Sequence, residues 1–499
     1  MSTTEREMTE ENFFDVIVVG AGISGIGSAY RLQKECPDRS FVLLEGRPNL
    51  GGTWDLFRYP GIRSDSDMHT LGFSFKPWKA AKSIADGPAI LEYLEETVNE
   101  FGIKEKIRFN HLVSSAEWSS EKALWTLKVT NTETGETSNY TSNFLLMCSG
   151  YYSYKSGYTP PFEGIENYSG TIIHPQEWPE DLDYSDKRVV VIGSGATAVT
   201  LVPAIAERAD HVVMLQRSPT YVVARPDHDS FSAFLRKIFP ERIAYYLTRK
   251  KNIFGQNYIY KMTRKDPEKI KEKLLEGVRM ALGPEYDIKR HFTPSYNPWD
   301  ERLCLVPNGD LFRVIRKGKV SVVTETIECF TQDGILLKTG EEMQADIIVT
   351  ATGLNLVTLG EVDFTIDGHP VDFSKTWIYK GLAYSDVPNL ISTFGYINAS
   401  WTLRADINSS FAGRFLNHLI KTGTKKATPR LRESDMDMPR RDWIEGFSSG
   451  YMKRSMSEMP KQGDREPWLN TQDFYKDKKM LSRNTPLEDG VMEFAKIER

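Results

Sequence analysis

The sequence predicts an α/β protein made of two Rossmann-like dinucleotide-binding domains, with a helical insert in the second. Three observations carry that reading. Two glycine-rich turns each leave a β-branched strand and open a helix, and each is followed by a distinctive residue at the end of the next strand. Two further apolar strands end in small residues and frame the second unit.

The first turn is Gly20-Ala21-Gly22-Ile23-Ser24-Gly25, entered from Asp15-Val16-Ile17-Val18-Val19. The second is Gly193-Ser194-Gly195-Ala196-Thr197-Ala198, entered from Arg188-Val189-Val190-Val191-Ile192. In each, the leading glycine permits a tight turn and the next lets a pyrophosphate approach the backbone. The last position, Gly25 or Ala198, lets helix and strand pack closely. The opening turn of the helix, Ala196 and Thr197 in the second unit, supplies free N–H groups and the positive end of the dipole. The strand Leu43-Leu44 then ends in Glu45, a carboxylate placed to accept hydrogen bonds from ribose hydroxyls. The matching place in the second unit holds Gln216-Arg217-Ser218, where the cation would clasp a 2′-phosphate and Ser218 add a hydroxyl. One adenine dinucleotide without that phosphate, together with NADP, describes a two-cofactor redox enzyme.

The chain is expected to divide into a first domain part over 1–155, a second domain over 156–345 and a return to the first domain over 346–499. The first part includes a meander around Ile107-Arg108-Phe109, Ala116-Glu117-Trp118 and Leu124-Trp125-Thr126-Leu127-Lys128-Val129. It closes on Phe144-Leu145-Leu146-Met147-Cys148-Ser149-Gly150. The similar run Asp346–Gly353 is expected to mark the return, with Ala351, Thr352 and Gly353 beside a cofactor, and Pro388–Gly395 to complete the first sheet. The insert, about 229–284, has helical periodicity and is basic. Phe231 to Leu282 holds 13 Lys and Arg against 5 acidic residues. It reads as a solvated helical face rather than a membrane contact.

A chain of 499 residues with net charge −5 gives no electrostatic case for nucleic acid. No apolar run reaches the length of a membrane span, and the first residues lack a signal-peptide layout, so a cytoplasmic enzyme is expected. Cys36, Cys148, Cys304 and Cys329 are scattered without metal-ligand or redox-dithiol spacing. No metal site is expected.

The most discriminating chemistry lies between and beside the turns. Tyr168-Ser169-Gly170-Thr171-Ile172-Ile173-His174-Pro175-Gln176-Glu177-Trp178-Pro179 resembles the FxGxxxHxxxWP signature of Baeyer–Villiger monooxygenases. The segment Gly51-Gly52-Thr53-Trp54, continuing through Arg58-Tyr59-Pro60-Gly61-Ile62-Arg63-Ser64-Asp65, resembles that family's GGxWxxxxYPGxxxD segment. The stretches Tyr296–Asp310 and Asn398–Leu403 extend the resemblance over nearly the whole chain. They point to the subgroup that includes an ethionamide-activating monooxygenase, whose members oxidise ketones, often linear ones, and sulfur.

The resemblance implies that NADPH reduces FAD and that O2 then adds to give a C4a-peroxyflavin. Attack on a ketone proceeds through a Criegee adduct to an ester or lactone, with sulfoxidation as a side activity. Negative charge on the peroxide and the adduct requires a fixed cation in a water-poor site, and the resemblance places it at Arg302. Asp65 would orient Arg302 and serve the cofactor site. Gly52, Thr53 and Trp54 would line the flavin, and Val113 would offer its backbone to the FAD adenine. His174 would sit near the NADP-domain interface and affect cofactor handling.

The chain departs from the family pattern at three places. Tyr168 replaces a phenylalanine, Ile62 replaces a smaller residue, and Glu301 stands where many members carry lysine immediately before the catalytic arginine. Glu301 predicts a higher KM for NADPH than in lysine-bearing relatives. The competing reading is a flavin-containing N- or S-oxygenating monooxygenase, which shares both nucleotide sites; Trp178 and the Asp65/Arg302 combination favour Baeyer–Villiger chemistry. A dithiol-dependent reductase and a non-catalytic FAD/NADP sensor fit less well.

Overall fold

The strand Phe13–Val19 lies in the interior of a nine-stranded sheet in the computed structural model, which describes residues 12–496. It pairs in parallel with Phe41–Leu44 on one side and Thr137–Met147 on the other, so Val18 faces Leu43 and Leu146. The meander His111–Ser119, Leu124–Asn131 and Thr137–Met147 continues the sheet antiparallel. The last of these strands is long enough to take two neighbours along one edge. Its first half pairs with Leu124–Asn131, and Leu145–Met147 pair with the returning strand Leu390–Ser392.

Alternation along these strands separates two cores. Val16, Val18, Phe144 and Leu146 pack under the helices Ile23–Glu35 and Trp401–Thr422. Ile17, Leu145 and Met147 face the opposite layer with the buried pair Trp118 and Trp125. Burial on both faces explains why these central strands read as continuous apolar runs.

The second unit is a five-stranded, all-parallel sheet in the order Val320–Thr324, His211–Gln216, Arg188–Ile192, Ile347–Thr350, Thr171–Ile173. This corrects one expectation. The run Asp346–Gly353 was expected to mark the return to the first sheet, yet Ile347–Thr350 pairs with Arg188–Ile192 inside the second. An apolar strand buried on both faces carries no mark of which sheet it joins. The chain crosses only beyond Thr350. There Leu354–Leu356 pairs antiparallel with the outgoing segment Tyr152–Gly157, so the two crossings brace one another.

The insert forms the helices Ser230–Ile238, Glu241–Lys265 and Pro267–Leu282. It is not simply a solvated face. Arg249, one of its expected surface cations, is buried, donates to the carbonyls of His69, Thr70 and Gly72, and pairs with Asp406 at 3.1 Å. The insert thus belongs to the second unit in sequence, yet its helix Glu241–Lys265 packs on segments of the first, while Pro267–Leu282 sends Val278 and Leu282 into the core of the second. Its outward face also exposes large apolar side chains such as Phe234 and Phe254. No helix among the described residues is long and apolar enough to cross a membrane.

Candidate active site

Both glycine turns open into one cavity of about 1360 Å³. Gly20 and Gly22 line its first end, and Gly193, Gly195, Ala196 and Thr197 its second. The helices Ile23–Glu35 and Ala196–Ile205 start at Gly22 and Gly195 with no side chain capping them, so their first N–H groups remain available to an anion. Gly25 lies behind the first turn rather than on the cavity, where a Cβ would meet the Gly20 carbonyl at 1.9 Å.

Glu45 is buried at the end of Phe41–Leu44 and accepts from the Ala21 N–H at 2.8 Å and the Arg47 N–H at 3.0 Å. Burial pushes its carboxyl above the usual range, and the two backbone donors oppose that rise. Val113 lies on the cavity at an irregularity in strand pairing, where the register shifts between Val113 and Ser115. At the far end Arg217 and Ser218 are exposed on the rim, and the Ser194 hydroxyl donates to the Ser218 carbonyl. Ala351, Thr352 and Gly353 also line the cavity, with Ala351 against the turn at Gly193.

The Gly51–Asp65 segment joins the two ends. Gly52 (φ +56°) runs against the first turn, where an added Cβ would lie 3.2 Å from the Gly22 Cα. Thr53 and Trp54 open the short helix Thr53–Leu56 on the cavity wall. Further along, Phe57 and Tyr59 bury into the core of the second unit. Gly61 (φ +77°) packs on its helix, with room for no Cβ: one would stand 2.7 Å from the Ala204 Cβ and 3.0 Å from the Thr200 carbonyl. This one segment therefore shapes the first nucleotide turn and docks it on the second.

Asp65 follows at once, and Arg302 reaches it from the loop before the strand Cys304–Pro307. The guanidinium donates from Nε at 3.0 Å and from Nη2 at 2.5 Å, both to Oδ2 of Asp65. Each side chain is 34% accessible, and that access is through the cavity. The Asp65 carboxylate holds the guanidinium well above its ordinary range, so Arg302 is a permanent cation. The phenols of Tyr151, Tyr152 and Tyr451 surround it, and burial raises all three. Tyr151 stacks on Trp401 with centroids 5.0 Å apart, and the Trp401 indole donates to the Ser24 hydroxyl at 2.7 Å. The arrangement is a fixed positive charge in an aromatic-walled chamber between two nucleotide turns.

His174 does not line the cavity. Its Nε2 meets the Gly353 carbonyl at 3.0 Å, and its Nδ1 accepts from the Gln176 N–H at 3.1 Å. Burial lowers its pKa. The ring pins the two crossing segments together, and its neutral form satisfies both contacts. Trp178 packs edge-on against Tyr184 in the second core. The helix Gly450–Ser455 supplies residues that sequence reasoning missed: Tyr451 near Arg302, Lys453 near Glu301, and Arg454, whose guanidinium stacks 3.5 Å over the Tyr158 ring. Glu301 lies on the cavity within electrostatic range of Lys453 and Arg217, and burial raises its carboxyl.

The residues present fit two dinucleotides: uncapped helix starts, a buried carboxylate at one ribose position and an exposed arginine at the other. The flavin-binding monooxygenase-like family matches residues 82–360, more than half of the chain, and an NAD(P)-binding Rossmann-like domain matches residues 18–86. The chain is 51% identical over 490 residues to the FAD-containing monooxygenase EthA of Mycobacterium tuberculosis, covering 98% of this chain and 99% of that protein. Among solved structures, an oxidized steroid monooxygenase bound to NADP aligns with TM-score 0.77 at 21% identity, covering 97% of this chain and 100% of that one. An open form of cyclohexanone monooxygenase aligns with TM-score 0.70 at 21% identity over 84% of this chain and 90% of that one. The chain therefore belongs to the flavin-binding monooxygenase family, as an FAD-dependent monooxygenase whose two Rossmann-like domains hold FAD and NADP.

Proposed function

We propose that this enzyme is an NADPH-dependent Baeyer–Villiger monooxygenase. It places one oxygen of O2 beside a ketone carbonyl to give an ester or lactone, and it oxidises sulfides as a side activity. The other oxygen leaves as water, with NADPH supplying two electrons. Bound FAD supplies the means of activating O2. The observation that carries the reading is the Arg302–Asp65 pair, a fixed cation held inside the chamber between the two turns.

The protein's own residues have distinct tasks in this scheme. Glu45 holds the FAD ribose and the Val113 backbone meets the adenine, while Gly52, Thr53 and Trp54 border the ring system. Arg217 and Ser218 hold the 2′-phosphate of NADPH, and Ala351–Gly353 border the nicotinamide side. Arg302 stabilises oxyanion character in the chamber, because a guanidinium keeps its proton where a buried ammonium loses it. Asp65 fixes the guanidinium by a charge-assisted contact. Tyr151, Tyr152 and Trp401 keep the chamber poor in water. Residues 1–155 and those beyond the second crossing carry FAD, and the segment between carries NADP.

NADPH and O2 consumption measured with linear, cyclic and aryl ketones and a sulfide, with product identification, tests the reading. Ester or lactone from a ketone supports it. Sulfoxide or N-oxide alone identifies the N/S-oxygenating alternative, and hydrogen peroxide alone overturns both.

A further inference from the structure

Ten of the seventeen exposed large apolar side chains among the described residues lie between Phe231 and Ile259, nine of them in the first two helices of the insert and Phe239 in the turn between them. Their spacing is helical. Phe231, Phe234 and Ile238 form a stripe on Ser230–Ile238, beside the buried Ser232 and Leu235. Ile243, Leu247, Phe254 and Tyr258 form a second stripe on Glu241–Lys265, opposite Tyr245, Thr248 and Ile253. Phe234 is 57% exposed and Phe254 is 63%, far beyond scattered surface hydrophobes in density.

The charge around these stripes is one-sided. Residues 230–265 carry nine Lys and Arg against Glu241 alone, in a chain whose net charge is −5. Arg249 turns inward, and Lys251, Lys261 and Arg264 pair with Asp229, Asp473 and Asp300. Lys237, Arg242 and Lys250 remain exposed beside the apolar stripes, with Lys250 over the Tyr246 ring at 4.7 Å. Aromatic and aliphatic side chains flanked by cations match the headgroup boundary of a bilayer containing anionic lipid, where rings enter the interface and ammonium groups meet phosphates. We propose that the insert is a membrane-surface dock, seating the folded enzyme on anionic bilayers without crossing them.

The dock backs onto the cavity. Ile253, on the inner face of the same helix, packs with Tyr396 and Leu403, and Tyr396 lines the cavity. Asn252 and Gln256 bond to Asp67, two residues from Asp65. A substrate dissolved in the lipid would therefore be held one helix away from the chamber.

Co-sedimentation of the FAD-loaded enzyme with phosphatidylglycerol/phosphatidylcholine vesicles, against pure phosphatidylcholine vesicles, tests the dock. Binding is expected to the anionic vesicles and to fall in 0.5 M salt, by the screening argument. Two triple variants, Phe234→Ser/Phe254→Ser/Tyr258→Ser and Lys237→Glu/Arg242→Glu/Lys250→Glu, are each expected to bind at least about tenfold more weakly. Retained flavin absorbance shows that both variants are folded. Absence of binding to anionic vesicles, or equal binding by folded variants, overturns the proposal. A concentration-dependent dimer lost in the apolar variant, without vesicle binding, assigns the face to a second copy of the chain and also overturns it.

Discussion

Arg302 turns the Nε–Nη2 edge of its guanidinium onto a single oxygen of Asp65, at 3.0 and 2.5 Å, leaving its opposite edge free of that carboxylate. The contact fixes the plane of the cation as well as its position. An arginine held on one edge by a carboxylate can present the other to a developing oxyanion without rearranging.

Asp65→Asn keeps an acceptor but removes the charge that orients Arg302. Ester formation should fall by about 10–100-fold, the range of a lost charge-assisted hydrogen bond. NADPH-driven reduction of the flavin should fall far less. Stopped-flow reduction measured alongside product yield separates the two steps.

In the proposed NADPH site Arg217 and Glu301 should act with opposite sign. Arg217→Ala should reduce kcat/KM for NADPH by about 10–100-fold while leaving that for NADH nearly unchanged. Glu301→Lys removes the carboxylate that faces Arg217 and should lower the KM for NADPH. Steady-state kinetics with both nucleotides check both outcomes. An unchanged preference in Arg217→Ala removes that residue from the 2′-phosphate site.

Gly61 and Gly195 should separate docking from binding. Gly61→Ala forces a Cβ against Ala204 and the Thr200 backbone at a positive φ, and should destabilise the protein by about 1–3 kcal/mol. At Gly195 a Cβ meets nothing within 4 Å, so the fold should tolerate Gly195→Ala. NADPH affinity should drop there, because the methyl occupies the approach to the helix N-terminus. Thermal melting and NADP titration distinguish the variants.

The depressed pKa of His174 sets a pH dependence. Below the ordinary histidine value of about 6.5, an unfolded chain binds a proton that the folded ring resists. The folded state therefore keeps its full stability from this group above that value. It loses stability as pH falls through the window between the unfolded and folded values. His174→Asn should show a flatter fall in melting temperature as pH drops below about 6.5. An identical slope in the two proteins would refute this assignment.

Local pattern made much of this legible. The turns at Gly20 and Gly193, the acid at Glu45 and the cation at Arg217 each stand at fixed distances from a strand end, and the structure gathers them on one cavity. Asp65 and Arg302 are 237 residues apart, and only the family resemblance brought them together before the structure did. Tyr451, Lys453 and Arg454 carried no such signal, because their partners Arg302, Glu301 and Tyr158 lie far away in the chain. Ile347–Thr350 could have joined either sheet, since buried strands look alike. The cations of the insert read as a solvated face, yet Arg249 turns inward while Phe231, Phe234 and Ile238 stand outside, because charge content alone does not say which face packs.

Arg302→Ala, followed through both half-reactions, tests the central claim most directly. Flavin reduction by NADPH should persist, while ester formation should fall by about 10²–10³-fold and NADPH consumption divert to hydrogen peroxide. Ester formation at the full rate in a flavin-loaded Arg302→Ala enzyme would contradict the account.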